Sequence, residues 1–364
     1  MHNEPTQPAR RRRRLLVGAL LGLCAAFGTY AAYWHYVAGE LVAGIESWAA
    51  DQRAMGNQAD FTWDGIGGFP FAFRADFAAP HLRLRLPGGE LVWQGSDLRA
   101  EMAPWNLRRV RVSSAGAHDL RLLGPQDAAW HLTATAPRGE ATFHGNGALD
   151  TLRAELQQPR AELPDGRAIP ADAASFGLAL PETAPIDYSQ PFANLSIDLD
   201  RVVLPAGTRL LTADPVEDAQ LGATIMGPVA VLAASGQPPG PALGLSPILA
   251  AWRDAGGDVE VKSFRFVQGP LSAAGEATLA LDGDLQLLGA GTVTTTGLSD
   301  AVEILLADGL IPAERALLAR TTAKALERLG ADGRKQAKFA LSVQNRIVSF
   351  GPAPLFALPP IAWP

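Results

Sequence analysis

The sequence predicts a mainly β protein with some α: an N-terminal transmembrane helix, then a large, curved antiparallel β-sheet ectodomain with a few packed helices. Three observations predict this fold class. Residues 15–37 form an apolar run without Asp, Glu, Lys or Arg. After residue 61, apolar and polar residues alternate with period two, as in half-buried strands. These runs are short and bounded by Gly, Pro or Asn, which favours an antiparallel meander.

The apolar run at residues 15–37 is long enough to be a transmembrane signal anchor. As a helix it reaches roughly 35 Å, and the hydrocarbon core of a bilayer is about 30 Å thick. Positive flanks stay in the cytoplasm, so residues 1–14 are predicted to be a cytoplasmic basic N-terminus. We expect a single-pass inner-membrane protein whose C-terminal domain is periplasmic. The orienting residues are Arg10, Arg11, Arg12, Arg13 and Arg14.

An aromatic belt at the far end of this run favours a retained anchor, because such rings settle at the headgroup level. The belt consists of Tyr30, Tyr33, Trp34 and Tyr36. One alternative is a signal peptide cleaved near Ala31, although apolar residues continue to Val37. Another is lipid modification of Cys24, but such processing needs a small side chain before the cysteine, and the preceding residue is Leu23.

The charge outside the anchor argues against nucleic acid as a partner. The chain has 31 basic and 37 acidic residues; removing the five arginines and Glu4 of the first fourteen positions leaves 26 and 36, a net charge of about −10. Such a surface repels phosphate backbones. The single cysteine, Cys24, lies within the apolar run, so no disulfide can form within the chain.

The N-terminal, β-rich half of the ectodomain is predicted at residues 38–204. A helix continues over residues 38–57 and ends near Gly56. The first strand region carries a stripe of alternate phenylalanines. Residues 151–190 are ambiguous because prolines interrupt the pattern. Short strands are predicted at residues 81–86, 90–100, 107–112, 119–123, 129–136, 140–149 and 196–204.

A Pro-rich connecting segment at residues 205–247 separates this half from a C-terminal β/α half at residues 248–364, with some strand expected at 219–232. Pro247 opens a short helix, Ser299 begins a helix that ends at Gly309, and Pro312 opens a helix that ends at Gly330. The Pro-rich tail at residues 351–360 is predicted to follow a sheet edge. Further strands are predicted at residues 258–268, 271–281 and 285–296.

Two hairpin registers follow from keeping apolar residues on one face. A three-residue loop at 282–284 would pair Leu281 with Leu285. A turn at Gln344-Asn345 would pair Leu341 with Val348 and Phe339 with Phe350.

Motifs for catalysis, a metal or a cofactor do not emerge from the sequence, and we expect no enzyme. There is no Gly-x-Ser-x-Gly elbow, His-Glu-x-x-His pair or phosphate-binding loop. His118, His131 and His144 recur every thirteen residues; we interpret them as equivalent positions of a meander rather than a metal site. Asp198 and Asp200 share a strand face, where a solvated pair is favoured over acid–base chemistry.

The phenylalanine stripe has two interpretations. It is either core packed under a helix or the lining of an apolar groove that holds acyl chains. In the second case the lipid-groove candidates are Phe69, Phe71, Phe73 and Phe77.

Several stretches resemble one bacterial family. They are Gly67-Gly-Phe-Pro-Phe71, Trp252-Arg-Asp-Ala-Gly-Gly257, residues 275–281 with their hairpin, and Phe350-Gly-Pro-Ala-Pro-Leu355 with Leu358-Pro-Pro360. Together they resemble the family catalogued as domain of unknown function 2125, which is similar at its ends to AsmA-like envelope proteins. The last hairpin departs from that family's Asp-Gly turn.

The resemblance implies an inner-membrane anchor, a β-rich periplasmic domain and a role in lipid handling or envelope homeostasis, with no catalytic residues. We expect a periplasmic protein that binds or transfers lipid. The alternative is a non-enzymatic scaffold of an envelope protein complex. The expected partners are the inner membrane, lipid and envelope proteins, with no cofactor.

Overall fold

The computed structural model describes residues 8–86, 89–124, 129–163, 165–205, 214–228, 245–307, 316–330, 333–350, 353–361 and 363. Within these ranges the chain forms four helices and nineteen strands. The helices are α1 (Pro8–Ala54), α2 (Leu245–Asp254), α3 (Leu298–Ala307) and α4 (Ala316–Leu326). The strands up to residue 202 are β1 (Gln58–Gly67), β2 (Phe73–Leu86), β3 (Gly89–Gly95), β4 (Asp97–Ala103), β5 (Asn106–Ser113), β6 (Ala117–Leu123), β7 (Ala129–Phe143), β8 (Leu149–Glu162), β9 (Ala168–Pro170), β10 (Ala173–Ala179) and β11 (Pro191–Val202). The remaining strands are β12 (Val216–Met226), β13 (Val259–Gln268), β14 (Leu271–Leu281), β15 (Leu287–Thr296), β16 (Arg328–Leu329), β17 (Lys335–Gln344), β18 (Ile347–Phe350) and β19 (Ala353–Ala357).

All nineteen strands of the described residues belong to one antiparallel sheet, which confirms the predicted fold class. Each long strand pairs with the next along the chain, so the sheet is an up-and-down meander. At two positions in the sheet, two short strands lie end to end in place of one long strand: β4 and β3 both pair with β2, and β5 and β6 both pair with β7. From β10 the pairing continues through β11, β12, β13, β14 and β15 to β17.

A line of bulges crosses the first half of the sheet. Ala79, Ala136 and Gln158 have φ of 45°, 45° and 47°, and each precedes a proline. The backbone amide of Ala79 donates a hydrogen bond to Ser96 O at 3.0 Å, and that of Ala136 donates to Gly116 O at 3.0 Å. A bulge bends its strand and increases the local twist, so aligned bulges crease the sheet. Pro159 falls in residues 151–190, where prolines make the sequence pattern ambiguous, yet all three prolines lie within long strands of the sheet.

The bulge at Ala136 explains one error of strand assignment. Residues 129–136 and 140–149 were predicted as separate strands, but β7 runs through both to Phe143. The next strand begins at Leu149, after a turn in which His144 N bonds to Ala148 O at 2.8 Å. The ambiguous residues 151–190 contain most of β8 together with β9 and β10.

The predicted loop at 282–284 has the correct length of three residues, but the observed loop begins one residue later. Leu281 pairs with Leu287, and Asp282 N bonds to Gln286 O at 2.8 Å, which leaves residues 283–285 as the loop. Leu285 adopts φ of 57°, and the Asp282 carboxylate accepts hydrogen bonds from the amides of Asp284 and Gln286. Those carboxylate bonds, which apolar pairing does not reveal, fix the turn.

The last turn is also one residue later than predicted. It lies at Asn345 and Arg346, whose φ values of 50° and 64° suit a two-residue hairpin turn with both central residues left-handed. Leu341 therefore pairs with Phe350 rather than with Val348. The rings of Phe339 and Phe350 still touch, with centroids 5.4 Å apart.

The remaining predicted elements lie close to their expected places. Helix α1 continues from the apolar run to Ala54 without a break, and Gly56 follows with φ of 79°. Strand β12 lies inside the Pro-rich segment 205–247 and joins the two halves of the sheet. Helix α4 ends at Leu326 instead of Gly330, because residues 328–329 pair with β17. The predicted helix end at Gly309 and start at Pro312 fall outside the described residues.

Candidate functional site

One face of the sheet is apolar across nearly its whole breadth. Residues that pair directly across neighbouring strands lie on the same face, so registers trace rows along it. The first row runs from the start of β2 to β18: Phe73, Met102, Val110, Ala141, Leu152, Leu178, Leu195, Ala223, Val261, Ala277, Gly291, Leu341 and Phe350. The second runs beside it: Ala75, Ala100, Val112, Gly139, Ala154, Phe176, Ile197, Leu221, Phe264, Gly275, Val293 and Phe339. We call this surface the apolar face.

The opposite face is charged and polar, and we call it the polar face. Cross-strand ion pairs line it, including Arg74 with Glu101 at 2.7 Å and Arg99 with Asp76 at 2.6 Å. These side chains are half exposed, so each pair stabilises the sheet only weakly. The polar face is therefore suited to contact with water, and the apolar face is suited to burial.

Helix α1 covers the end of the apolar face that lies at β2. Trp34 stacks on Phe73, with ring centroids 5.1 Å apart, and both are buried together with Ala38. Partly buried Ile66 and Met102 pack against this cluster. The start of the face is therefore an ordinary core.

Helices also contact the C-terminal half of the sheet. Trp252 of α2 donates from Nε1 to Met226 O at 2.9 Å, and Arg253 donates to Asp282 O at 2.9 Å. Helix α3 contacts β14 and α4 contacts β17. Val293 and Ala337 in this region are buried.

The middle of the apolar face is open in the described part of the chain. Phe176 on β10 is 38% exposed and Leu221 on β12 is 37% exposed, although both point to the apolar side. Their neighbours Leu178, Leu195 and Ile197 are only partly buried. Exposed large apolar side chains on one face of neighbouring strands are typical of a surface that contacts another molecule.

The phenylalanine stripe does not form one surface. Phe69 and Phe71 lie in the turn before β2, and only Phe73 and Phe77 share a strand face. Phe69 packs on Trp34, Phe73 is 2% exposed, and Phe77 stacks on Trp63. Phe71 is 74% exposed. The core interpretation fits Phe73, while lipid contact by any of the four stays a prediction. The open part of the face lies instead on β10, β11 and β12, and only β10 falls in the residues 151–190 whose sequence pattern was ambiguous.

Helix α1 is long and apolar enough to span a membrane over its first half. Its apolar side chains from Leu15 to Phe27 are exposed. Contact with the turn before β2 begins next to the aromatic belt: Phe27, three residues before the belt, meets Phe69, and the Tyr30 hydroxyl donates to Pro70 O. Cys24 is exposed in the apolar part, and Arg10 to Arg14 lie on the first turns of the helix.

The three histidines do not converge. His118 pairs with Ala134, and His131 pairs with Arg121. His118 and Arg121 are three residues apart on β6, and an odd separation along a strand places two side chains on opposite faces of the sheet. His118 and His131 therefore lie on opposite faces. His144 lies in the turn at the far end of β7 and bonds to Leu180 O at 3.0 Å. Among the described residues no group of three His, Cys, Asp or Glu is placed to hold a metal ion.

His131 lies between the carboxylates of Asp119 and Glu162, whereas the ring of His118 packs against the ring of Trp93. The hydrogen bond with Asp119 raises the pKa of His131, and its second contact, with Glu162 at 3.2 Å, adds to this. Burial lowers the pKa of His118, whose ring stacks on Trp93 with centroids 5.6 Å apart. Asp198 and Asp200 are exposed on the polar face, where Asp198 accepts a hydrogen bond from Ser175.

Fold and site together define a class: a long antiparallel meander with one apolar face, carried by an N-terminal helix that is apolar enough to cross a membrane. Within that class, the chain belongs to the family of uncharacterised proteins conserved in bacteria, domain of unknown function 2125, which it matches over residues 34–359. A comparison with the curated proteins and one with the solved structures give no match.

The stretches that carry the family resemblance have structural roles. Gly68 has φ of 96°, and a Cβ there would lie 2.6 Å from Ala72 O. A Cβ on Gly257 would lie 2.2 Å from the Trp252 ring, and one on Gly275 would lie 2.0 Å from Thr292 O. These close approaches leave no room for a Cβ and therefore require glycine at the three positions.

Proposed function

We propose that this protein binds the acyl chains of lipids along its apolar face, and that α1 holds it in the inner membrane with the sheet in the periplasm. The observation that carries the proposal is the open apolar surface around Phe176 and Leu221. An acyl chain laid along it gains about 0.8 kcal/mol for each CH₂ removed from water. The rows run across the strands, so one chain can contact several strands in succession.

Transfer of lipid along the sheet would follow from the same geometry. The two apolar rows run without interruption across the open middle of the face, from β8 to β12, and contain no charged side chain there. A bound chain therefore meets no group that must be desolvated as it moves between strands. The support for lipid handling is this continuity together with the membrane-spanning character of α1.

Two substitutions on neighbouring positions of β12 test the proposal. Leu221→Glu places a carboxylate on the apolar face, and Gln220→Glu places the same group on the polar face beside it. Leu221 is already 37% exposed, so the new carboxylate still reaches water when no lipid is bound and the sheet remains folded. A bound acyl chain would bury that carboxylate, which is unfavourable.

Native mass spectrometry of the full chain released from detergent measures the outcome. Lipids around α1 are common to all variants and form the background. We expect Gln220→Glu to retain the lipid adducts of the parent and Leu221→Glu to lose those above the background. Equal adducts in all three proteins would contradict the proposal.

A scaffold for an envelope complex is the second candidate, and an edge strand favours it. Strand β19 pairs with β18 and, in the described part of the chain, with no further strand. Pro354 removes one backbone donor from that edge. An unpaired edge can accept a strand of another protein. In the same mass spectra, a polypeptide partner without lipid above background would support the scaffold.

A further inference from the structure

Two turns at one end of the strands are fixed to the helix at the point where it meets the sheet. The turn of residues 68–72 contacts α1 through the Tyr30 hydroxyl and through Trp34 Nε1, which donates to Ala72 O at 3.3 Å. The β4–β5 turn contacts it through the Tyr33 hydroxyl, which donates to Pro104 O at 2.9 Å. Both turns therefore sit at the level of residues 30–34 of α1.

Helix length gives the depth of these turns. About 20 helical residues cross the hydrocarbon core, and counting from Leu15, the first exposed apolar residue described, reaches Trp34. Residues 30–34 thus lie where α1 leaves the hydrocarbon. The two turns lie at the same height, at the headgroup region of the leaflet through which the helix exits.

Large apolar side chains on these turns remain exposed. Phe71 is 74% exposed and Trp105 is 73% exposed, and Leu107 follows at 42%. Together with Ala72 and Met102, the two aromatic residues line an open depression of about 360 Å³. Aromatic residues at the headgroup level are characteristic of interfacial contact.

Basic side chains complete the depression. Arg109 and Arg111 line it and share a single carboxylate, Glu140, at 3.6 Å and 3.2 Å. Glu101 also lines it but is paired with Arg74 at 2.7 Å. These five groups leave one excess positive charge beside the exposed aromatics, on an ectodomain that is acidic as a whole.

We propose that this end of the sheet docks on the membrane surface: Phe71 and Trp105 insert into the headgroup region, and Arg109 and Arg111 bind the phosphate of an anionic phospholipid there. The occupant is lipid of the leaflet that α1 leaves, because the helix contacts fix both turns at its surface. The docking rests on the proposed insertion of α1 in the membrane but not on acyl chains occupying the apolar face, so docking and acyl-chain binding fail separately.

Spin labels on two leucines test the depth directly in the full chain. Leu107 and Leu122 are both 42% exposed. Strands β5 and β6 lie end to end in the sheet, with Leu107 near the start of β5 and Leu122 near the end of β6. Each is changed to cysteine in a Cys24→Ala background and labelled, and the protein is reconstituted in bilayers of phosphatidylcholine with or without phosphatidylglycerol. The relaxation of each label by oxygen, which concentrates in the bilayer, is compared with its relaxation by a water-soluble nickel chelate.

We expect the oxygen-to-nickel ratio to be severalfold higher at position 107 than at position 122, and highest with phosphatidylglycerol. Phe71→Ser with Trp105→Ser lowers the ratio at 107 toward that at 122. Arg109→Gln with Arg111→Gln removes the dependence on phosphatidylglycerol. Equal ratios at 107 and 122 in the otherwise unchanged chain would overturn the docking, without relying on variants that could fail to fold. A ratio at 107 independent of lipid charge would overturn the phosphate contact.

Discussion

At the scale of single residues, two nearby phenylalanines have opposite environments and separate core from surface. Phe73 is 2% exposed and stacks on Trp34, whereas Phe71 is 74% exposed. We expect Phe73→Ala to lower the free energy of unfolding by about 3–5 kcal/mol, because it leaves a cavity under α1. Phe71→Ala, the matched control, changes it by less than about 0.5 kcal/mol. Urea unfolding of the full chain in detergent measures both, and a large loss for Phe71→Ala would contradict its placement.

His131 makes a second residue-scale prediction, for pH. Its folded pKa is raised by Asp119, so it stabilises the fold at pH values below the ordinary histidine pKa of about 6.5, and this stabilisation is lost as pH rises through the raised pKa. The melting temperature of the parent should therefore exceed that of His131→Gln more at about pH 5.5 than at about pH 9.

His118 provides a control of opposite sign. Burial lowers its folded pKa, so its contribution is present above the ordinary histidine pKa and is lost as pH falls through the lowered value. His118→Phe keeps an aromatic ring against Trp93. The parent should lose stability relative to this variant on acidification. The same trend for both histidines would contradict the assigned environments.

At the scale of elements, the crease depends on residues held in the left-handed region. Ala136 has φ of 45°, a conformation that costs an alanine about 1 kcal/mol and a glycine almost nothing. Ala136→Gly should raise the free energy of unfolding by up to about 1 kcal/mol. Ala141→Gly, in the regular part of the same strand, should lower it by roughly 0.5–1 kcal/mol. Denaturant unfolding compares the two, and destabilisation by Ala136→Gly would argue against the bulge.

The same elements show what sequence alone could predict. Period-two alternation identified most strands and the antiparallel class, and the unbroken apolar run identified the long N-terminal helix, because both patterns depend on which residues avoid water. Registers depended on turn chemistry, and Leu285 and Arg346 occupy left-handed positions that their types do not signal. The prolines after Ala79, Ala136 and Gln158 carried a signal for the crease, but proline also marks edges, so pairing was needed to separate these meanings.

The candidate site was only partly predictable for a related reason. Alternation predicted an apolar face, and the phenylalanines were its most conspicuous members. Whether a face is filled or open depends on where a helix lies, and α1 buries Phe73 under Trp34 and Ala38. The open residues Phe176 and Leu221 belong to strands with few large side chains, whose shared face emerges only from their pairing.

At the scale of the whole molecule, the orientation of α1 decides on which side of the membrane the sheet lies. The arginines at 10–14 predict a periplasmic sheet. An alkaline phosphatase fusion at residue 60 should be active, and a cytoplasmic reporter at the same site should be silent. Replacing all five arginines by Gln should reduce the phosphatase activity. An inactive phosphatase in the parent would contradict the predicted orientation.

The central claim is that lipid acyl chains cover the open apolar face, and a crosslinker on that face tests it most directly. A photoactivatable phenylalanine analogue is placed at Phe176, on the apolar face, and at Ser175, the neighbouring position on the polar face. After irradiation of cells, mass spectrometry of the purified full chain identifies what was captured. The account predicts lipid adducts at position 176 and none at 175. Capture of a polypeptide at 176, or equal labelling at both positions, would contradict it.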